Sequence, residues 1–214
     1  MPAKEFYLGR EDSFRTFYVW TQRLGIFPEI SFKFIESLKG SDAIVIINPK
    51  KEFTEKEINK FLQYIEKGGK ALIIDDPRNR ESSTAYQLLS PLGLGIEYYE
   101  IEKGKITDRN GKEIWKAEHL GKVLGGEPLL FFIPEKEGDN KDSLEASIKK
   151  EESKIPILTH IKKGKGLVAL LSCSYIFSDN VMGTTSTVPD SSLRNLYDLE
   201  FWIFRDLLKL KRNN

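Results

Sequence analysis

Residues 41–77 read SDAIVIINPKKEFTEKEINKFLQYIEKGGKALIIDDP, and the order of patterns in that stretch decides the fold. An unbroken apolar run, Ala43–Ile47, ends at Asn48 and Pro49, and a second, 71–74, ends at Asp75, Asp76 and Pro77. Continuous runs rich in Ile and Val suit strands buried on both faces, as in a parallel sheet covered by helices. Between them Thr54 and Glu57 form a capping box, the hydroxyl and the carboxylate each satisfying a backbone N–H that the first helical turn leaves free. Ile58, Phe61, Leu62 and Ile65 then recur at i, i+3, i+4, i+7 as one apolar stripe, and Gly68 and Gly69 stop the helix. The segment 42–75 is therefore a strand–helix–strand unit with a right-handed crossover.

Upstream, 13–24 reads as a helix with Phe14, Phe17, Tyr18 and Thr21 on one face and Gly25 as its stop, and 32–38 as a short amphipathic piece. Downstream, 82–89 reads as a helix broken before Pro91. Residues 93–153 form a variable insertion, with short strands at 96–101, 105–107 and 129–133 and a loop, nearly all charged or small, over 135–153. A hairpin follows: 155–161, a Gly-containing turn at 162–166, and a third apolar run, 167–171, ending in Ser172, Cys173 and Ser174. The sheet so read is mixed, parallel at its centre with antiparallel additions. The last helix, 191–210, carries more than one apolar stripe through Phe201, Trp202 and Phe204, so it is buried on two sides or presents a surface for self-association.

The 214 residues suit one domain, 1–214, and 40% hydrophobic with 30% charged side chains describe a globular chain. The 33 basic and 32 acidic residues nearly cancel, and a net charge of +1 argues against general affinity for nucleic acid. No run approaches the ~20 apolar residues of a membrane span and the first residues are no signal peptide, so the expected location is the cytoplasm or the soluble part of a membrane-anchored protein. Abundant Lys, Glu and Ile beside few Cys, Met, His and Gln point to a thermophilic source. The single Cys173 excludes an internal disulfide.

In parallel sheets ligands gather beyond the carboxyl ends of the strands, so Asn48, Asp75, Asp76, Ser172 and Ser174 should share one edge. Gly68 and Gly69 before Lys70 lack the spacing and the hydroxyl of a phosphate-binding loop. Asp75 and Asp76, adjacent on a strand, point to opposite faces, which favours one carboxylate capping the turn at Pro77 and the other in solvent over joint chelation of a metal. Cys173 would need a base, for which His160 and His119 are the candidates, but a cysteine at a strand end is more often a small buried hydrophobe. The long segment 172–190 is dense in hydroxyls and carboxamides: Ser178, Asp179, Asn180, Thr184 and Thr185 can bind a polar ligand but include no nucleophile set beside a base.

The segments SDAIVIINP, FTEKEINKFLQYIEKGGKALIIDD, GKGLVALLSCSYIFSDN and MGTTSTVP, with the aromatic terminal helix, together resemble uncharacterised prokaryotic domains related to class I glutamine amidotransferases, similar to domains carried by gliding-motility and intraflagellar-transport proteins. The resemblance implies a flavodoxin-like, three-layer α/β fold with a mostly parallel sheet. It also implies a site where amidotransferases hold a cysteine in a Gly-x-Cys-x-Gly turn. Here that turn is Asp75, Asp76, Pro77, Arg78, Asn79, and Ser174 to Ser178 stand where His-x-Glu would. The reading is a non-catalytic relative without cofactor or metal. It binds a small polar ligand or a protein at the strand ends, within a membrane assembly or through self-association of the terminal helix. The alternative is a divergent hydrolase or amidotransferase using Asp75, Asp76 or Cys173.

Overall fold

The computed structural model describes residues 13–98, 103–117, 120–135 and 154–210. Helix α1 (Arg15–Arg23) and the single turn α2 (Phe34–Ser37) lead into β1 (Ala43–Ile47), α3 (Glu55–Glu66) and β2 (Lys70–Ile74), and β1 pairs with β2 in parallel. The capping box forms as written: Glu57 N–H donates to Thr54 Oγ1 at 3.3 Å, and Thr54 N–H donates to Glu57 Oε2 at 2.8 Å. The Thr54 N–H and hydroxyl, both donating to Oε2, hold the Glu57 carboxyl below its ordinary range. The turn α4 (Tyr86–Leu89) follows, shorter than the helix expected over 82–89.

Seven strands come after: β3 (Gly95–Tyr98), β4 (Gly104–Asp108), β5 (Glu113–Ala117), β6 (Gly121–Leu124), β7 (Glu127–Pro134), β8 (Ile155–Lys163) and β9 (Gly166–Leu171). The main sheet runs β1-β2-β9-β8-β7-β4-β5, and β3 pairs with β6 in a separate ribbon. Only β1–β2 and β2–β9 are parallel; the four remaining pairings of the main sheet are antiparallel. The mostly parallel, flavodoxin-like sheet is thus corrected: the sheet is largely antiparallel, and its parallel part lies at one side instead of the centre. The cause is connection length. A parallel pair needs a long crossover, which α3 supplies, whereas the short turns β4–β5 and β8–β9 reverse the chain. The second of these packs on the end of α3, where a Cβ on Gly164 or Gly166 would collide with the backbone carbonyls of Glu66 and Ile65.

Side chains alternate across the parallel strands and meet helices on both faces. Ala71, Ile73, Val168 and Leu170 pack on Phe61 and Ile65 of α3 and on Leu88 and Leu89 of α4. Leu72, Ile74, Ala169 and Leu171 pack on Phe17 and Leu24 and on the terminal helix. Each Val, Leu, Ile or Phe so buried stabilises the fold by about 1.5–3 kcal/mol, and each alanine by less. After the single turn α5 (Asp179–Met182), the terminal helix α6 (Ser191–Trp202) starts at an Asp190 cap, whose carboxylate accepts from Leu193 N–H at 2.8 Å. It passes into a π-helical turn, Ile203–Leu207, that buries Ile203, Phe204 and Leu207. Phe201 and Trp202 are half-buried, and Tyr197 stacks on Trp20 of α1 with centroids 4.0 Å apart. His119 and most of the expected loop 135–153 lie outside the described residues. Among the described residues, no helix is long and apolar enough to cross a membrane.

Candidate functional site

In the parallel register Ile47 stands beside Ile74 and Ile74 beside Leu171, so Asn48, Asp75 and Ser172 emerge side by side at one edge. Main-chain bonds continue past the strand ends: Asn48 N–H to Ile74 O and Asp75 N–H to Leu171 O, both 2.9 Å, and Ser174 N–H to Asp75 O at 3.0 Å. Asn48 has a left-handed backbone (φ 48°), and its Oδ1 is buried without a hydrogen-bond partner among the described residues.

The two carboxylates part company here. Asp75 Oδ1 accepts from Asp76 N–H at 2.9 Å, while Oδ2 accepts from the Ser83 hydroxyl and, at 2.5 Å, from the Tyr98 hydroxyl. Burial raises the Asp75 carboxyl above its ordinary range, against the pull of the Ser83 and Tyr98 hydrogen bonds. Burial and the adjacent carboxylate push the Tyr98 phenol up as well. The group can hold a proton but stands on no open path to a substrate, because Asp75 has no exposed surface.

Asp76 faces Arg78. Its Oδ1 accepts from Arg78 Nε at 2.7 Å and Arg78 N–H at 3.1 Å, and its Oδ2 from Nη2 at 3.1 Å, Tyr175 N–H at 3.2 Å and Ser174 Oγ at 3.3 Å. The expected cap before Pro77 is therefore present. The other carboxylate, Asp75, is buried instead of solvated, because Ser83 and Tyr98 supply the hydroxyls that water would.

The remaining sequence candidates are drawn into the scaffold. Ser172 donates to the Gly121 carbonyl and ties the β3–β6 ribbon to β9. Cys173 is fully buried in the apolar core, which pushes its thiol up to about 12. His160 meets Glu127 of β7, Nε2 to Oε2 3.8 Å. Asp179, 163 residues from Thr16 in sequence, caps α1: Oδ1 accepts from Thr16 N–H at 2.7 Å and Oδ2 from the Ser13 hydroxyl at 2.5 Å. Ser178 is buried with its hydroxyl unpartnered among the described residues. Asn180 and Thr184 are exposed, and Thr184 N–H donates to Thr187 Oγ1 at 2.9 Å, which keeps the turn local. Thr185 accepts on its carbonyl from Arg23 Nη2 at 3.4 Å.

Asn48, Asp75, Asp76, Ser172 and Ser174 are thus brought together, while Asp179, Asn180, Thr184 and Thr185 turn toward α1 and the surface. Ser83, Tyr98 and Arg78 complete the cluster. Arg78 was legible as the residue two beyond Asp76 on a turn; Ser83 and Tyr98 had no local signal.

A separate concavity of about 710 Å³ opens at the amino edge of the same strands. It is lined by α2 and the residues after it, by one stripe of α3, and by Gly68, Gly69 and Lys70.

No family model matches the chain, and neither does any curated protein sequence. Solved structures do. An IFT52 N-terminal domain superposes with a TM-score of 0.58 at 15% identity, over 92% of both chains. The chain shares its fold with that domain. A cold-adapted β-galactosidase from Rahnella sp. R3 (TM-score 0.54, 13% identity) and the GH42 β-galactosidase Gan42B (0.51, 9%) match over 92% of this chain but only 27% and 25% of theirs. The chain therefore spans about a quarter of each galactosidase. The amidotransferase relation has no support at the level of a family model or a sequence relative.

Proposed function

We propose that this chain, 1–214, is a single non-catalytic assembly domain that binds a protein partner, with the amidotransferase-like resemblance one of scaffold only. The observation that carries the reading is the state of the carboxyl edge. Asp75, Asp76, Ser172, Ser174 and Asp179 each satisfy the chain's own donors or acceptors, so these five of the polar residues that suggested a ligand site close the fold instead. The likeness to a domain of an intraflagellar-transport protein over nearly its whole length is consistent with an assembly role. Phe27 and Phe32 support it further: they stand 75% and 63% exposed on the segment between α1 and α2, which Tyr18 pins by donating to Pro28 O at 2.8 Å. Exposed aromatic residues held on a fixed backbone are typical of contact surfaces.

The second reading, a divergent hydrolase on Asp75, Asp76 or Cys173, is favoured by one feature, the proton-holding Asp75–Tyr98 pair. A panel of chromogenic esters, amides and glycosides separates the two. The assembly reading expects no turnover, and an association, seen by sedimentation or crosslinking, that F27E/F32E abolishes while the fold is retained. Turnover abolished by Asp75→Asn or Cys173→Ala at unchanged melting temperature would overturn it.

A further inference from the structure

The groove at the amino edge is basic. Lys39 comes from the segment after α2, Lys56, Lys60 and Lys67 from α3, and Lys70 from the start of β2, while Asp42 is the one carboxylate of the lining. Among the described residues none of the four lysines Lys39, Lys56, Lys60 and Lys67 forms an ion pair, and Lys60 Nζ donates to Gln63 Oε1 at 3.2 Å. Lys70 lends the groove only its backbone: its Nζ donates to the Lys209 carbonyl at 3.1 Å, on the face of the sheet that the terminal helix covers. In a chain whose net charge is only +1, these lysines included, this is a local concentration of positive charge. Lys56, Lys60, Gln63 and Lys67 recur at i, i+4, i+7, i+11, one stripe of α3 beside its apolar stripe. Lys56 and Lys60 are like charges at i, i+4, an arrangement that weakens a helix unless a counter-charge sits over it.

The floor is fixed. Tyr64 lies against Gly69, where any Cβ would strike its ring. Its hydroxyl reaches the carbonyls of Ser41 and Lys70, both at 3.2 Å, and accepts from Lys70 N–H at 3.3 Å. Ile35 and Leu38 add an apolar wall. The volume lies within the range of small-molecule sites, about 300–1,000 Å³.

We propose that this groove binds a compact anion carrying two or more phosphate groups. Phosphate monoesters fit the charge, since each brings roughly −1.5 to −2 at neutral pH, so two or three offset the lysine surplus. Ammonium groups on flexible stems from two walls, α3 and the segment after α2, suit clustered phosphates, which need point charges and no planar fork. A free polyphosphorylated metabolite and the headgroup of a phosphoinositide lipid present the same chemistry.

The test uses the whole chain. Sodium tripolyphosphate is titrated calorimetrically against sodium sulfate at matched ionic strength. In a second arm, phosphatidylcholine vesicles with and without a bisphosphorylated phosphoinositide are co-sedimented with the protein. Tripolyphosphate should bind more tightly than sulfate, with affinity falling as salt screens exposed charges. K56Q/K60Q/K67Q should bind about tenfold more weakly or worse. Glutamine keeps the helix propensity of lysine, so this variant should melt as wild type does. K39Q removes charge from the other wall and should weaken binding as well, whereas K70Q, whose ammonium lies on the opposite face of the sheet, and K112Q, on the β4–β5 turn, should not. Binding in solution assigns a soluble ligand; binding only to phosphoinositide vesicles assigns a headgroup. Failure of both arms, or equal binding by wild type and both groove variants, overturns the proposal.

Discussion

At the carboxyl edge of β1, β2 and β9 the ionisable groups are buried and bonded to the chain itself, whereas in the groove that runs along α3 to the amino edge of β1 and β2 four lysines stand without a carboxylate partner among the described residues. The two edges belong to the same strands and differ in what surrounds them. A charge taken out of water must find partners inside the protein, and those bonds then become part of the fold. A charge left in water keeps its hydration and can exchange it for a ligand. Polarity at the first edge therefore reports stability, and polarity at the second reports recognition.

The sharpest way to break that contrast is Asp76→Ala. It removes the acceptor of the buried Ser174 hydroxyl and of Tyr175 N–H together with one partner of the exposed Arg78 guanidinium, and it should cost about 2 kcal/mol in urea unfolding. A cost under about 0.5 kcal/mol, the ordinary range for surface changes, would mean that the edge is not structural.

The pH dependence of stability comes next. Asp75 and Glu200, the latter buried on α6 and held by the Thr21 hydroxyl at 2.9 Å, both have carboxyl pKa values raised by burial. The folded state keeps these protons where the unfolded chain, with carboxyl pKa values near 4, gives them up. Their contribution is complete below about pH 4 and falls as pH rises toward the folded values, by about 1.4 kcal/mol per pH unit for each proton retained. Asp75→Asn and Glu200→Gln should each flatten the decline measured between acid and neutral pH, and a profile identical to wild type would sink the assignment.

Asp179→Ala should cost about 1 kcal/mol through loss of the α1 cap, read as a lower urea midpoint with unchanged slope. Tyr98→Phe should cost a similar or smaller amount, since Asp75 keeps Ser83 and the Asp76 N–H. At the other edge, Lys60→Gln should move stability by less than about 0.5 kcal/mol, because an exposed lysine without an ion pair holds little of the fold. A larger loss there would erase the distinction between the edges.

The strand–helix–strand unit was legible because every cue in it is local: a capping box, a stripe, two glycines and two apolar runs. The run 167–171 was legible as a strand but misleading about its neighbours. Val168 to Leu171 are apolar because helices cover both faces of β9, and that burial holds whether the adjacent strand is parallel, as β2 is, or antiparallel, as β8 is. Composition records burial and leaves strand direction unstated. At the carboxyl edge Asp75, Asp76 and Ser174 could be grouped from strand polarity alone. Their partners could not: Tyr98 lies 23 residues beyond Asp75 and arrives only through the β3–β6 ribbon. The cap that Asp179 supplies to α1 was hidden for the same reason, since a loop carboxylate gives no hint that a helix start 163 residues earlier will donate to it.

The pairing of β2 with β9, Ala71 beside Val168, has a consequence for how the chain is made. The two strands are separated by roughly a hundred residues, and contacts that distant slow folding because a large loop must close before they are rewarded. As the chain emerges from the ribosome, β1, α3 and β2 can assemble early, but the inner edge of β2 then waits for nearly half the protein to be synthesised. During that interval Ala71, Leu72, Ile73 and Ile74 present an open apolar strand edge, the kind of surface that pairs with other chains. Refolding yield should therefore fall with protein concentration, and a peptide spanning β9, supplied during refolding, should compete for that edge.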